Sequence, residues 1–171
     1  MLYCYNSREF INPNTGLKVH ASCGCCMCCL RRRALEMSFR FAREYYFNRK
    51  NNPKWKVYRF DLTYAPEHVK HTWSNEMTLC ERDVQLFLKR LRKNSGAKIK
   101  FVYGAEYSPV KKRPHYHFVV QTDLSLMDLR EMLELSWRLG FVEKTEEVVY
   151  ISSCVNYALK YPSPKLTELR T

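Results

Sequence analysis

The chain has 171 residues, 46% of them hydrophobic and 27% charged, and a formal net charge of +12. That length and apolar fraction suffice for one domain with a core and exclude a disordered chain, while no stretch approaches the roughly 20 apolar residues of a membrane span. The charge is uneven: residues 1–122 carry 23 basic and 9 acidic side chains, and the remaining 49 carry 6 and 8, so a phosphate-rich partner would be drawn to the first part.

No basic region followed by an apolar run opens the chain, so no signal peptide is expected. Of eight cysteines, five fall within residues 23–29. Such crowding reads as metal ligation in a reducing cytosol rather than as a secreted disulfide framework. A soluble intracellular protein is the expectation.

Residues 1–22 contain the turn signal Asn12-Pro13-Asn14-Thr15-Gly16 and read as extended and looped. Cys23, Cys26 and Cys29 follow at C-x₂-C-x₂-C spacing. Tetrahedral zinc needs a fourth ligand, for which Cys4 and His20 are the candidates. The same spacing occurs in iron–sulfur ligation, although the fourth Cys followed by Pro is missing; a plain cluster of reduced thiols is the simpler alternative. A structural metal is the favoured reading. This front part, residues 1–30, forms a Cys-rich appendage to a single domain spanning 1–171.

A helix is predicted from about Cys29 to Phe47, with Leu35, Phe39, Ala42 and Tyr46 at helical spacing, ending before Asn51-Asn52-Pro53. Val57–Tyr64 reads as a strand. Thr78 with Glu81 resembles a capping box opening a helix through Arg92, closed by Ser95-Gly96. Ile99–Tyr107 and His115–Gln121 are further strands, joined through 111–114. Ser125 and Asp128 cap a helix that buries Leu126, Leu129, Leu133 and Trp137. A short strand pair, 141–143 with 148–150, precedes a last helix from Ser153 to Tyr161. Short strands joined by hairpins and helices predict an α+β sandwich, an antiparallel sheet with helices packed on it.

Three features carry chemistry. His115 and His117 alternate to the same face of one strand, and Glu106 could reach them from the neighbouring strand, provided the register holds. Two imidazoles and a carboxylate bind a divalent cation and leave positions free; Mn²⁺, Zn²⁺ or a water-completed Mg²⁺ would suit them. Tyr157 and Tyr161 share a helix face, with Lys160 beside them to stabilise developing negative charge. A phenol is a poor nucleophile at neutral pH, so a cation that polarises the phosphate helps it. Finally, the basic runs Arg31-Arg32-Arg33 and Lys111-Lys112-Arg113, with Tyr45-Tyr46-Phe47, suit single-stranded nucleic acid through phosphate attraction and stacking.

Taken in order, Phe60-Asp61-Leu62-Thr63-Tyr64, Arg113-Pro114-His115-Tyr116-His117 and Tyr157-x-x-Lys160-Tyr161 resemble the three motifs of HUH-type rolling-circle replication initiators. The likeness is closest to the initiators of microviruses of the gokushovirus kind, and it includes the Cys4…Cys23-Gly24-x-Cys26-x-x-Cys29 pattern and Trp137-Arg138-Leu139-Gly140-Phe141-Val142. The resemblance implies the HUH endonuclease (RRM/ferredoxin-like) fold, with a central antiparallel sheet presenting the two histidines above a nucleophile helix. It also implies site-specific nicking and rejoining of single-stranded DNA at a replication origin. One tyrosine would become joined to the 5′ end, and the second would cut the regenerated origin. Mn²⁺ or Mg²⁺ would serve the site, in the cytoplasm of a host cell and alongside host replication machinery. The chain stops ten residues after Tyr161, and elements for origin choice or partner proteins are expected to be absent. Three other readings share parts of the pattern. They are a single-tyrosine HUH transposase or relaxase, a non-haem iron oxygenase with two histidines and a carboxylate, and a non-catalytic zinc-containing DNA-binding protein.

Overall fold

The computed structural model describes residues 4–159. Strands β1 (Arg8–Ile11) and β2 (Lys18–Ala21) form an antiparallel hairpin across the Asn12–Gly16 turn, where Gly16 takes φ +67°. Helix α1 (Met27–Asn51) follows, then β3 (Lys56–Tyr64). A 3₁₀ turn and a small ladder, β4 (Lys70–His71) with β5 (Met77–Thr78), lead to α2 (Glu81–Ser95). The remaining elements are β6 (Lys100–Tyr107), β7 (Pro114–Thr122), α3 (Leu126–Ser136), β8 (Gly140–Glu147) and α4 (Ile151–Ala158).

The central sheet runs β6-β7-β3-β8 with every neighbouring pair antiparallel. Strand alternation gives it two unlike faces. One carries Tyr58, Phe60, Leu62, Tyr64, Tyr116, Phe118 and Val120, which pack with Phe87, Leu91, Leu129, Leu133 and Trp137 from the α2 and α3 side. Each such side chain stabilises by roughly 1.5–3 kcal/mol when fully buried. On the opposite face Val57, Val102 and Val119 meet Phe41 and Tyr45 of α1 and Ile151, Val155 and Ala158 of α4. The predicted α+β class with an antiparallel sheet is what forms.

Several elements end as the residues dictate. Ser125 caps α3: its Oγ accepts the Asp128 backbone N–H at 3.2 Å and donates to the Asp128 carboxylate at 2.6 Å. Gly96 closes α2 in the left-handed conformation that glycine adopts freely.

Three local expectations fail. Thr78 lies in β5 and α2 begins after Cys80 without a side-chain cap, so Thr78 and Glu81 form no capping box. Residues 141–150 make no hairpin; β8 is one continuous strand paired to β3, with an irregularity between Arg59 and Asp61. The face of α1 is also turned. Phe39 and Tyr46 are 67% and 65% exposed and Leu35 is exposed with them, while Ser38, Phe41 and Tyr45 are buried. Ser38 reaches that interior by donating to the Ser152 carbonyl of α4 at 3.3 Å, so the hydroxyl costs little there.

Candidate active site

The histidines stand where β7 crosses the middle of the sheet. Across β6, Glu106 pairs with His115 and Gly104 with His117; across β3, Asp61 pairs with His117 and Thr63 with His115. The predicted register between Glu106 and the histidines therefore holds. Odd-numbered residues of β7 and β3 point to the α4 side, so His115, His117, Asp61 and Glu106 converge there.

His117 is held between two carboxylates. Its Nδ1 lies 2.6 Å from Asp61 Oδ1 and its Nε2 lies 2.8 Å from Glu106 Oε1. The Asp61 bond raises its pKa above the usual imidazole value, with Glu106 adding to it and burial opposing. His115 is shifted the other way, by burial and by the neighbouring His117. Burial would raise Asp61, but His117 and Lys144 outweigh it and hold the carboxyl below its ordinary range. The second oxygen of Asp61 meets Lys144 Nζ at 3.2 Å. Lys144 sits at the irregularity of β8 with φ +53°, a left-handed turn of backbone that accompanies bulges.

Helix α4 delivers the tyrosine. Ile151, Val155 and Ala158 anchor it to the sheet, leaving Tyr157 exposed, with its ring centroid 5.9 Å from that of His117 in an edge-on arrangement. Ala105, Glu106, His117, Tyr157 and Ala158 line a cleft at this point. Such closeness requires Gly104: a Cβ there would fall 1.7 Å from the Ala158 carbonyl oxygen. Of the predicted site residues, Glu106, His115, His117 and Tyr157 thus come together, whereas Lys160 and Tyr161 lie outside the described residues.

Asp61, Lys144 and Gly104 were not singled out by the sequence. Asp61 did leave one signal, a charge in an otherwise apolar central strand.

The donor chemistry suits a divalent cation. An imidazole that donates Nδ1–H to a carboxylate is oriented to offer Nε2 to a metal. The proton shared by Nε2 and Glu106 occupies the position between them that a cation would take. Elsewhere, the Sγ atoms of Cys4, Cys23, Cys26 and Cys29 all lie within 4.8 Å of one another, a set that could hold a metal such as Zn²⁺. His20 is not in this set; it faces Glu9 in the hairpin, 3.5 Å away. Among the basic runs, Arg31, Arg32, Arg33, Lys111 and Lys112 are exposed. Arg113 instead donates to the Tyr64 carbonyl at 2.6 Å and pins the β6–β7 connection.

Fold and site together define an α+β protein whose antiparallel sheet presents paired histidines and carboxylates to a tyrosine-bearing helix. The chain belongs to the replication-associated protein ORF2 family, whose sequence model matches residues 58–166. It is 27% identical over 178 aligned residues to the replication-associated protein ORF2 of Spiroplasma virus 4, covering 94% of this chain and 53% of that protein. The chain thus spans about half the length of the curated relative it matches. No solved structure matches it significantly.

Proposed function

We propose that this protein is a viral replication initiator that nicks and rejoins single-stranded DNA at an origin through a covalent 5′-phosphotyrosine. The observation that carries the reading is the edge-on contact of Tyr157 with His117, itself bonded to Asp61 and Glu106. Membership of a replication-associated family agrees with it.

In the proposed reaction the Tyr157 oxygen attacks the scissile phosphorus and loses its proton. The bond from phosphorus to the 3′ oxygen breaks, and that oxygen leaves as a hydroxyl that can prime synthesis. The new phosphotyrosine keeps the energy of the cleaved phosphodiester, so attack by a later 3′ hydroxyl reverses the step and closes a circle. His115, His117 and Glu106 would hold a divalent cation, Mn²⁺ or Mg²⁺. That cation, when bound, neutralises charge on the phosphate and lowers the barrier to attack by a weak nucleophile. Asp61 fixes the His117 ring, and Lys144 fixes Asp61. Lys160 would stabilise developing charge, and Tyr161 would serve as the second nucleophile.

Single-stranded DNA is the substrate this surface favours. Phe39, Tyr46 and Phe47 stand exposed on α1 beside Arg40 and Arg43, a pairing of stacking platforms with phosphate-binding charge. Arg31, Arg32, Arg33, Lys111 and Lys112 extend the basic surface, and host replication machinery would take over the primed 3′ end.

The test is covalent capture. Protein, Mn²⁺ and single-stranded origin DNA are combined and resolved on a denaturing gel, beside Tyr157→Phe, Tyr161→Phe, the double variant and His117→Ala. A metal-dependent adduct absent from the double variant and from His117→Ala is expected, with DNA binding retained in all. Binding without any adduct on the authentic origin would replace this reading with that of a non-catalytic DNA-binding protein.

A further inference from the structure

We infer that Cys4, Cys23, Cys26 and Cys29 bind a single zinc ion, and that this ion folds the N-terminal segment onto helix α1. The spacing of the sulfurs selects the ligand. Thiolates at about 2.3 Å from a tetrahedral zinc stand about 3.8 Å from one another. Cys26 and Cys4 are 3.9 Å apart, Cys23 and Cys29 are 4.0 Å apart, and all four lie within 4.8 Å. An iron–sulfur cluster would interpose several irons and sulfides between the thiolates and spread them wider. A disulfide would bring two sulfurs to about 2.05 Å, whereas all eight cysteines are free.

The surroundings are those of ligated sulfur. The Cys26 backbone N–H points at Cys23 Sγ and that of Cys23 at Cys4 Sγ, each at 3.3 Å. Gly24 takes φ +76° between the first two cysteines of the run, a left-handed turn that glycine allows without strain. Arg32 lies 4.0 Å from Cys29 Sγ and also holds Ser22 Oγ at 2.6 Å. Four thiolates around Zn²⁺ carry a net charge of −2. The N-terminus of α1, which has no acidic residue in its first turn, and the three arginines after it offset that charge.

A second observation is independent of the sulfurs. Between residues 4 and 29 only Cys29, at 5% exposure, is buried. The β1–β2 hairpin therefore has no apolar core, and a lone two-stranded hairpin is marginal in water. Segments of this kind acquire their stability from metal ligation. Cys25 and Cys28 lie outside the four-sulfur set, which assigns them no part in binding.

The test uses the full chain without DNA, so it does not depend on the nicking reading. Mass spectrometry of the purified protein should find about one zinc per chain, and replacement by Co²⁺ should give intense thiolate-to-cobalt charge-transfer absorption, which imidazole and carboxylate ligands do not produce. Cys25→Ser/Cys28→Ser should keep the metal, and Cys4→Ser/Cys26→Ser should weaken binding at least tenfold. In the unmutated chain, chelation should speed hydrogen exchange in residues 4–26 while leaving 56–64 and 114–122 protected. Zinc kept by Cys4→Ser/Cys26→Ser, iron with labile sulfide, or a metal-free chain whose four thiols all react freely would each overturn the inference.

Discussion

The carbonyl oxygen of Ala158 rests against the α-carbon of Gly104, in the space where any other residue would carry its Cβ. Gly104 is the register partner of His117, so the permitted approach of α4 and the position of the histidine are set at one place. Gly104→Ala should lift the end of α4 and carry Tyr157 away from His117. Because misplacement by about 1 Å can cost on the order of a hundredfold in rate, adduct formation should fall by one to two orders of magnitude. The stability loss should be only about 1–3 kcal/mol, as for overpacking. Adduct yield beside a denaturant titration separates the two effects, and undiminished yield would detach this contact from the chemistry.

Asp61→Asn keeps the shape of the side chain and removes its charge. The His117 ring would lose the partner that fixes Nδ1 as a donor, and such second partners of metal-bound histidines are commonly worth 10–100-fold in affinity. The Mn²⁺ concentration required for half-maximal cleavage should rise by that factor. Lys144→Gly should do less to the metal, since it touches only the far oxygen of Asp61. It should leave stability unchanged or slightly raised, because glycine accepts the φ of +53° at no cost.

Replacing Phe39, Tyr46 and Phe47 together with alanine should weaken binding to single-stranded DNA by about 1–3 kcal/mol for each base that stacks on them. Fluorescence titration would measure this. The thermal midpoint should hardly move, because all three side chains are exposed. Phe41→Ala, in the buried row of the same helix, should cost about 3–5 kcal/mol of stability. Equal destabilisation by both would mean that the exposed row is covered in solution.

Tyr116 lies between the two histidines in sequence and on the other side of the sheet. Its hydroxyl accepts the Cys80 backbone N–H at 2.8 Å and lies 3.1 Å from the Tyr64 hydroxyl, which donates to Asp83. Burial pushes its pKa up to about 12, so the phenol stays protonated and hydrogen-bonding at any working pH. Tyr116→Phe should leave Cys80 N–H unpaired and cost about 1–3 kcal/mol, read from urea unfolding. Cleavage per folded molecule should not change.

The parts of this molecule legible in its sequence were those governed by near neighbours. Ser125 and Asp128 are three apart and cap each other; His115 and His117 are two apart and share a face. Glu106 was reachable because the connection from Ser108 to Arg113 is short enough to make β6 and β7 a hairpin. What eluded the sequence depends on partners far along the chain. Asp61 acquires its role only when β3 inserts between β7 and β8, and Lys144 only through a bulge opposite Asp61. The turned face of α1 has a similar cause. Leu35, Phe39 and Tyr46 satisfy helical periodicity as well as Phe41 and Tyr45 do, and the choice was made by Ser38 finding a carbonyl in α4.

Along β7 the even positions fill the interior beneath α2 and α3, while the odd positions carry the histidines. A slip of one residue against β3 or β6 would expel Tyr116, Phe118 and Val120 from that interior in the same movement that turns His115 and His117 away from α4. Misassembled molecules would therefore be unstable ones, open to degradation rather than persisting as folded but inert competitors for substrate. In this strand, folding itself proofreads the alignment of the reactive groups.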